Sequence, residues 1–203
     1  MGITLQQFER MKDRLAHPAR TPLSSLPAVR QTIAATGPQI ILGIDPSLRG
    51  TGYGIIETAK PCPKTLAQGT IACPKDWERS RCLAKISMTL REAVQTYRPV
   101  VCVVEGLFYA QNLQTTLIMG EARGAALAAI AEAGIDIYEI APRKVKQAIV
   151  GYGAAQKSAV AKMVQRMLNL PQPPAPDAAD ALALALAHAQ EQSRFSLRTP
   201  KKI

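Results

Sequence analysis

Apolar and polar positions along this chain change period several times, and each change marks an element. Ile40 to Asp45 is an apolar run that ends on a carboxylate and breaks at Pro46, the pattern of a strand buried on both faces. Gly50 to Glu57 reads as a second strand, joined through the tight Pro46-Ser47-Leu48-Arg49-Gly50 turn. Thr65 to Cys73 is a third, weaker strand, expected at the sheet edge. From Glu78 to Tyr97 the period lengthens, and Leu83, Ile86, Leu90 and Val94 share one face of a helix. Val100 to Glu105 is again apolar up to its last residue, and a long helix follows from about Asn112 to Ala133. Ile135 to Ile140 is the last strand, and Pro142 suits the first turn of a helix. Helices are expected over roughly 143–150, 156–169 and 177–190. Three hairpin-like strands followed by alternating helix and strand predict an α/β domain, a five-stranded mixed sheet flanked by α-helices.

The same pattern divides the chain into an arm, a core and a tail. In residues 1–38 the segment Thr4 to Ala16 is amphipathic, with Thr4 and Gln7 as a capping box and Leu5, Phe8, Met11 and Leu15 on one face. Pro18, Pro22, Pro27 and Pro38 then interrupt regular structure. Arg10, Lys12, Arg14, Arg20 and Arg30 outnumber Glu9 and Asp13, and the apolar face suits a partner or a second protomer. Residues 39–192 form the core domain. Residues 193–203, with Arg194, Arg198, Lys201, Lys202 and no acid, read as a flexible basic tail.

Composition narrows the chemistry. At 203 residues the chain holds one ordinary domain with room for extensions, and its net charge of +10 calls for a polyanionic partner: DNA, RNA or acidic lipid. No apolar run approaches the roughly 20 residues of a membrane span, and the first 20 residues lack a secretory apolar block. Cys62, Cys73, Cys82 and Cys102 show no metal-ligand spacing and read as reduced thiols, so the expected location is cytoplasmic.

Against that basic background, four acids stand at element ends. Asp45 and Glu105 close apolar strands, and Asp177 and Asp180 open an alanine-rich helix, three residues apart and therefore on one face. Two such carboxylates about 5 Å apart repel by roughly 3 kcal/mol at an effective dielectric of 20, so a cluster of them calls for a cation. Hydrolysis of a phosphodiester needs an activated water and stabilised charge on phosphorus and leaving oxygen. Two divalent ions about 3.5–4 Å apart supply all three. Taken singly, Asp45 before Pro46 also suits a turn and Asp177 a helix N-cap. Glu105 has no such local use, because Glu is a poor strand residue.

The order of these pieces resembles the ribonuclease H-like nucleases, and within them the RuvC family of Holliday junction resolvases. The resemblance covers about residues 39 to 190. It rests on Gly43-Ile44-Asp45-Pro46, Thr51-Gly52-Tyr53-Gly54, Glu105 with Phe108 and Asn112, and Gly120-Glu121-Ala122-Arg123-Gly124. It continues through Val145-Lys146-Gln147, Lys157-Ser158 and Asp177-Ala178-Ala179-Asp180-Ala181. It implies a magnesium-dependent homodimer that cuts four-way DNA junctions, with Asp45, Glu105, Asp177 and Asp180 as a metal-binding catalytic tetrad. Two magnesium ions per site are expected, with manganese as a substitute and a branch-migration helicase complex as a further partner. Symmetric paired nicks suit a two-fold junction.

Six basic residues and no acid lie between Glu139 and Asp177. Lys144 and Lys162 read as a solvated face. Lys146 and Lys157 match family positions that contact the DNA backbone beside the tetrad, which implies phosphate neutralisation and, for one of them, a catalytic part in the transition state. Arg143 and Arg49 are further candidate DNA contacts, Arg49 serving equally well as a surface residue. Phe108 reads either as an exposed aromatic that wedges between bases or as a core residue under its loop. Gly120, Gly124 and Ala128 give the long helix a small-residue face, suited to a dimer seam or to packing on the sheet. Ser47 replaces the glycine, and Gln111 the lysine, usual at those family positions, and the arm has no family counterpart. The competing readings are a related nuclease acting on RNA or other branched DNA, and a junction-binding protein that does not cut. An actin-like sugar kinase or ATPase shares the strand-hairpin pattern but needs a second phosphate loop and a longer chain.

Overall fold

A computed structural model describes residues 37–106, 112–193 and 201–203, all within one compact unit, Ala34–Ile203. The expected helix at Thr4 to Ala16, Phe108, Gln111 and most of the basic tail lie outside the described residues. The elements are strands β1 (Ile40–Asp45), β2 (Gly50–Glu57) and β3 (Lys64–Ala72), helix α1 (Arg79–Tyr97), strand β4 (Val101–Glu105), helix α2 (Leu113–Ala131) and strand β5 (Asp136–Ile140). Three helices follow, α3 (Pro142–Val150), α4 (Lys157–Met167) and α5 (Pro176–Ser193), and then strand β6 (Lys201–Lys202).

The strands form one mixed sheet in the order β3-β2-β1-β4-β5-β6. The β1–β2 and β2–β3 pairs are antiparallel, while β1–β4 and β4–β5 are parallel. Two-residue alternation sends each strand's side chains to two cores. Leu42, Ile44, Cys102 and Val104 join Ile86, Leu90, Ala126 and Ile130 of α1 and α2 on one face. Ile41, Val101 and Val103 join Val145, Val160, Leu182 and Leu186 of α3, α4 and α5 on the other. Burial on both faces explains why β1 and β4 are continuous apolar runs. Helix boundaries follow local chemistry: Asn112 caps α2 by accepting from the Gln114 and Thr115 amides, Pro142 opens α3, and Gly151 ends it at φ 84°.

The sheet has six strands, not five. Lys201 and Lys202 pair antiparallel with Glu139 and Tyr138, and Lys202 Nζ lies 2.8 Å from Asp136 Oδ1. A two-residue strand made of lysines carries no alternation, and its pairing comes entirely from the open edge of β5. Ser47 stands in for glycine without backbone strain, since it is not among the described residues with positive φ. Its amide and carbonyl are tied to Thr51 Oγ1 at 3.2 and 2.6 Å. Among the described residues no helix is long and apolar enough to cross a membrane. Cys62, Cys73, Cys82 and Cys102 are all free thiols.

Candidate active site

Because β1 and β4 run parallel with Ile44 opposite Val104, the next residues, Asp45 and Glu105, emerge side by side at the same end of the sheet. Both continue the alternation that faces α3, α4 and α5. Helix α5 reaches these carboxylates by lying almost directly on the sheet backbone. A Cβ added at Gly43 would fall 2.0 Å from the Ala181 carbonyl oxygen, and one at Gly52 would fall 2.0 Å from that of Asp177. A Cβ at Gly54 would meet Leu182 at 2.7 Å. The glycines at 43, 52 and 54 are thus a track cut for α5, and that helix's small Ala178, Ala179, Ala181 and Ala185 complete the close approach. The track delivers Asp177 and Asp180 to the end of the sheet that bears Asp45 and Glu105.

The electrostatics show how near these acids stand. Burial, then Glu105 and Asp180, push the Asp45 carboxyl up to about 7, against an opposing pull from Lys157. Burial and Asp180 also raise Glu105, opposed by Lys157, Lys146 and Arg123. Lys157 Nζ donates to Asp180 Oδ2 at 2.6 Å, which holds the lysine in its charged form. Lysine at the first position of a helix opposes the helix dipole, so α4 gives up some stability to put this cation here. The two lysines and four acids singled out from the sequence therefore converge.

The donor set fits a hard divalent cation: half-buried carboxylates on three elements, gathered closely enough that Glu105, Asp180 and Asp177 each oppose ionisation of Asp45. As placed, though, no three acid, histidine or cysteine side chains among the described residues are drawn together as a ligand group. The ion pair with Lys157 engages Asp180 instead.

Other candidates fall elsewhere. Arg49 Nη1 donates to the Pro74 and Trp77 carbonyls and lies 3.3 Å from Cys82 Sγ, so it staples the β1–β2 turn to the segment before α1. Arg143 is exposed, its side chain packed over Gly153. The small-residue face of α2 does not pack on the sheet: added Cβ atoms at Gly120 and Gly124 meet nothing within 4 Å, and Leu113 and Leu117 are exposed.

In the sequence Arg123 stands out only as one residue of the Gly120-Glu121-Ala122-Arg123-Gly124 motif. It is 6% exposed, donates through Nη1 to the Glu105 carbonyl, and through Nη2 reaches Glu139 Oε2 at 2.5 Å. The available signal was an arginine among Ala122, Gly124 and Ala125, since a cation on a buried helical face needs a counter-ion.

The family profile described as crossover junction endodeoxyribonuclease RuvC matches residues 41–188. A crossover junction endodeoxyribonuclease RuvC of Bordetella avium is 45% identical over 149 residues, 73% of this chain and 82% of that one. One from Halorhodospira halophila is 44% identical over 153 residues, 75% of this chain and 91% of that one. Among solved structures, T. thermophilus RuvC in complex with Holliday junction substrate matches with a TM-score of 0.73 at 31% identity, covering 81% of this chain and 99% of that chain.

Proposed function

The chain belongs to the RuvC family of crossover junction endodeoxyribonucleases, and we propose that it hydrolyses phosphodiester bonds in four-way DNA junctions, cutting symmetrically as a homodimer with magnesium. The observation that carries this reading is the convergence of Asp45, Glu105, Asp177 and Asp180 beside Lys157. The nuclease domain is residues 39–192, with the arm and the tail as additions. Magnesium would be held by the four carboxylates, with manganese as a substitute, and when bound would lower the pKa of an attacking water and offset charge on the scissile phosphate.

The chain's own residues do the rest. Asp45, whose carboxyl is pushed up by burial and by Glu105, Asp180 and Asp177, would be the central ligand of the set. Lys157, which donates to Asp180 at 2.6 Å, would offset charge on the phosphate in the transition state. Lys146 neutralises a neighbouring phosphate, Arg143 adds a backbone contact further out, and Phe108 wedges at the junction centre. The basic composition suits the duplex arms. Incubation of the purified protein with labelled four-way, three-way and linear DNA plus magnesium tests the reading. Paired nicks in four-way DNA alone are expected, and equal cutting of linear duplex would refute it.

Proton competition gives this site a pH signature. Asp45 in the folded protein holds its proton up to about pH 7, and a divalent ion must displace it. Calcium affinity of the DNA-free protein is therefore expected to rise by up to about tenfold per pH unit from pH 5 to 7 and to level off above that. Calorimetric titration at pH 5, 6, 7 and 8 checks this. A flat profile would remove Asp45 from the ligand set.

The open face of α2 supports the dimer. An exposed apolar strip with two glycines that touch nothing leaves room for a second helix at close approach. Gly124→Leu is expected to shift the protein toward monomer in analytical ultracentrifugation while the monomer still folds, since a Cβ added there meets nothing within 4 Å. An unaltered dimer would place the seam elsewhere.

A further inference from the structure

Glu105 is the last residue of β4, paired with Ile140 of β5. What holds that strand end matters, because it sets where the Glu105 carboxylate points. Two contacts hold it from the side. Gly106 N donates to the Ile140 carbonyl at 2.9 Å, continuing the pairing with β5. Arg123, from the middle of α2, donates to the Glu105 carbonyl itself.

Arg123 is an expensive device for that purpose. Its side chain is 7% exposed and its partner's, that of Glu139, 29%. A charge desolvated to this degree is tolerated only when paired. The guanidinium fork divides its bonds between a backbone carbonyl at the site and a carboxylate on β5, so α2, β4 and β5 meet on one planar group. Apolar side chains would pack this junction with less penalty, as the surrounding Ala122, Ala126 and Ile130 do.

We infer that Arg123 is a positioning residue: with Glu139 as its counter-ion it fixes the end of β4 and so aims the Glu105 carboxylate at the cation. The arrangement also places on one helix both the guanidinium that holds Glu105 and the open Gly120/Gly124 face, so a partner seated on α2 would steady the same carboxylate.

This rests on the assignment of Glu105 to the cation-holding set. The test measures single-turnover cutting of a labelled four-way junction, junction binding in calcium, calcium titration of the DNA-free protein and Tm. Wild type, Arg123→Gln and the double variant Arg123→Met with Glu139→Leu are compared at a temperature where each is folded. Both variants are expected to bind junction within about twofold of wild type while cutting falls about 10–100-fold, with calcium affinity reduced by a similar factor. The double variant is expected to recover Tm, since apolar groups of similar volume replace a buried ion pair with little loss, and not to recover calcium affinity or rate. Recovery of all three together would mean that the pair serves stability alone, and would overturn the inference. A wild type that neither binds calcium nor cuts would instead fail the proposed function. A competent wild type beside an unimpaired Arg123→Gln would fail only the positioning role.

Discussion

Asp45→Asn is expected to abolish cutting while leaving junction binding in calcium within about threefold of wild type, and at the same time to make the metal-free protein more stable. The loss of activity should exceed about a hundredfold, because even outer-shell partners of metal ligands are worth about 10–100-fold. The gain in stability follows from where the charge sits. The Asp45 carboxyl is raised from 3.8 to about 7 by burial and by Glu105 and Asp180. Between those values the folded state binds the proton that the unfolded state has released, so this group favours folding below pH 4 and loses that contribution as pH rises through 7. Asn carries no charge to strand. The variant should therefore match wild type in Tm near pH 4, where Asp45 is already neutral, and exceed it at pH 8. Magnesium should raise the Tm of wild type more than that of the variant. A variant that melts lower than wild type at pH 8 without metal would mean that Asp45 is a structural residue.

Replacing glycines along the track under α5 separates the fold from the site. At Gly52 a methyl group would stand 2.0 Å from a backbone carbonyl of the helix, so α5 must lift, and Gly52→Ala is expected to lose about 1–3 kcal/mol or more. A shift of about 1 Å at Asp177 and Asp180 alone lowers the rate by about a hundredfold. At Gly50 the added methyl would meet the Asp177 Oδ2 at 3.0 Å, a side-chain atom that can swing away. Gly50→Ala is expected to keep its Tm within a few degrees and still cut poorly. Denaturant melts and single-turnover rates on the two variants check the contrast. Equal stability loss at both positions would show that the helix, and not the carboxylate, answers to Gly50.

The strands and helices of the core were legible in the sequence because burial on both faces leaves long apolar runs, as in Ile40 to Asp45 and Val101 to Glu105, and because α3 begins at Pro142. Asp45 and Glu105 stood out because an ionisable residue at the end of such a run has no packing reason to be there, and Asp177 and Asp180 because they share one face at the start of an alanine-rich helix. Three features were not. Strand β6 depends on an edge that only the assembled sheet presents. Arg49 reads as a surface cation until the carbonyls of Pro74 and Trp77, 25 and 28 residues away, are brought to it. Arg123 needs Glu139 from another element before its burial makes sense. Each turns on a contact between distant segments, which periodicity does not record.

The acids also arrive late and in instalments. Asp45 and Glu105 are carried by β1 and β4, but Asp177 and Asp180 stand on α5, which follows both in the sequence. That helix lies on β1 and β2, strands made more than a hundred residues before it. A nascent or truncated chain therefore carries at most half of its acidic set, however well its first strands have formed. The proposed site is therefore expected to stay inactive in any chain that stops before α5.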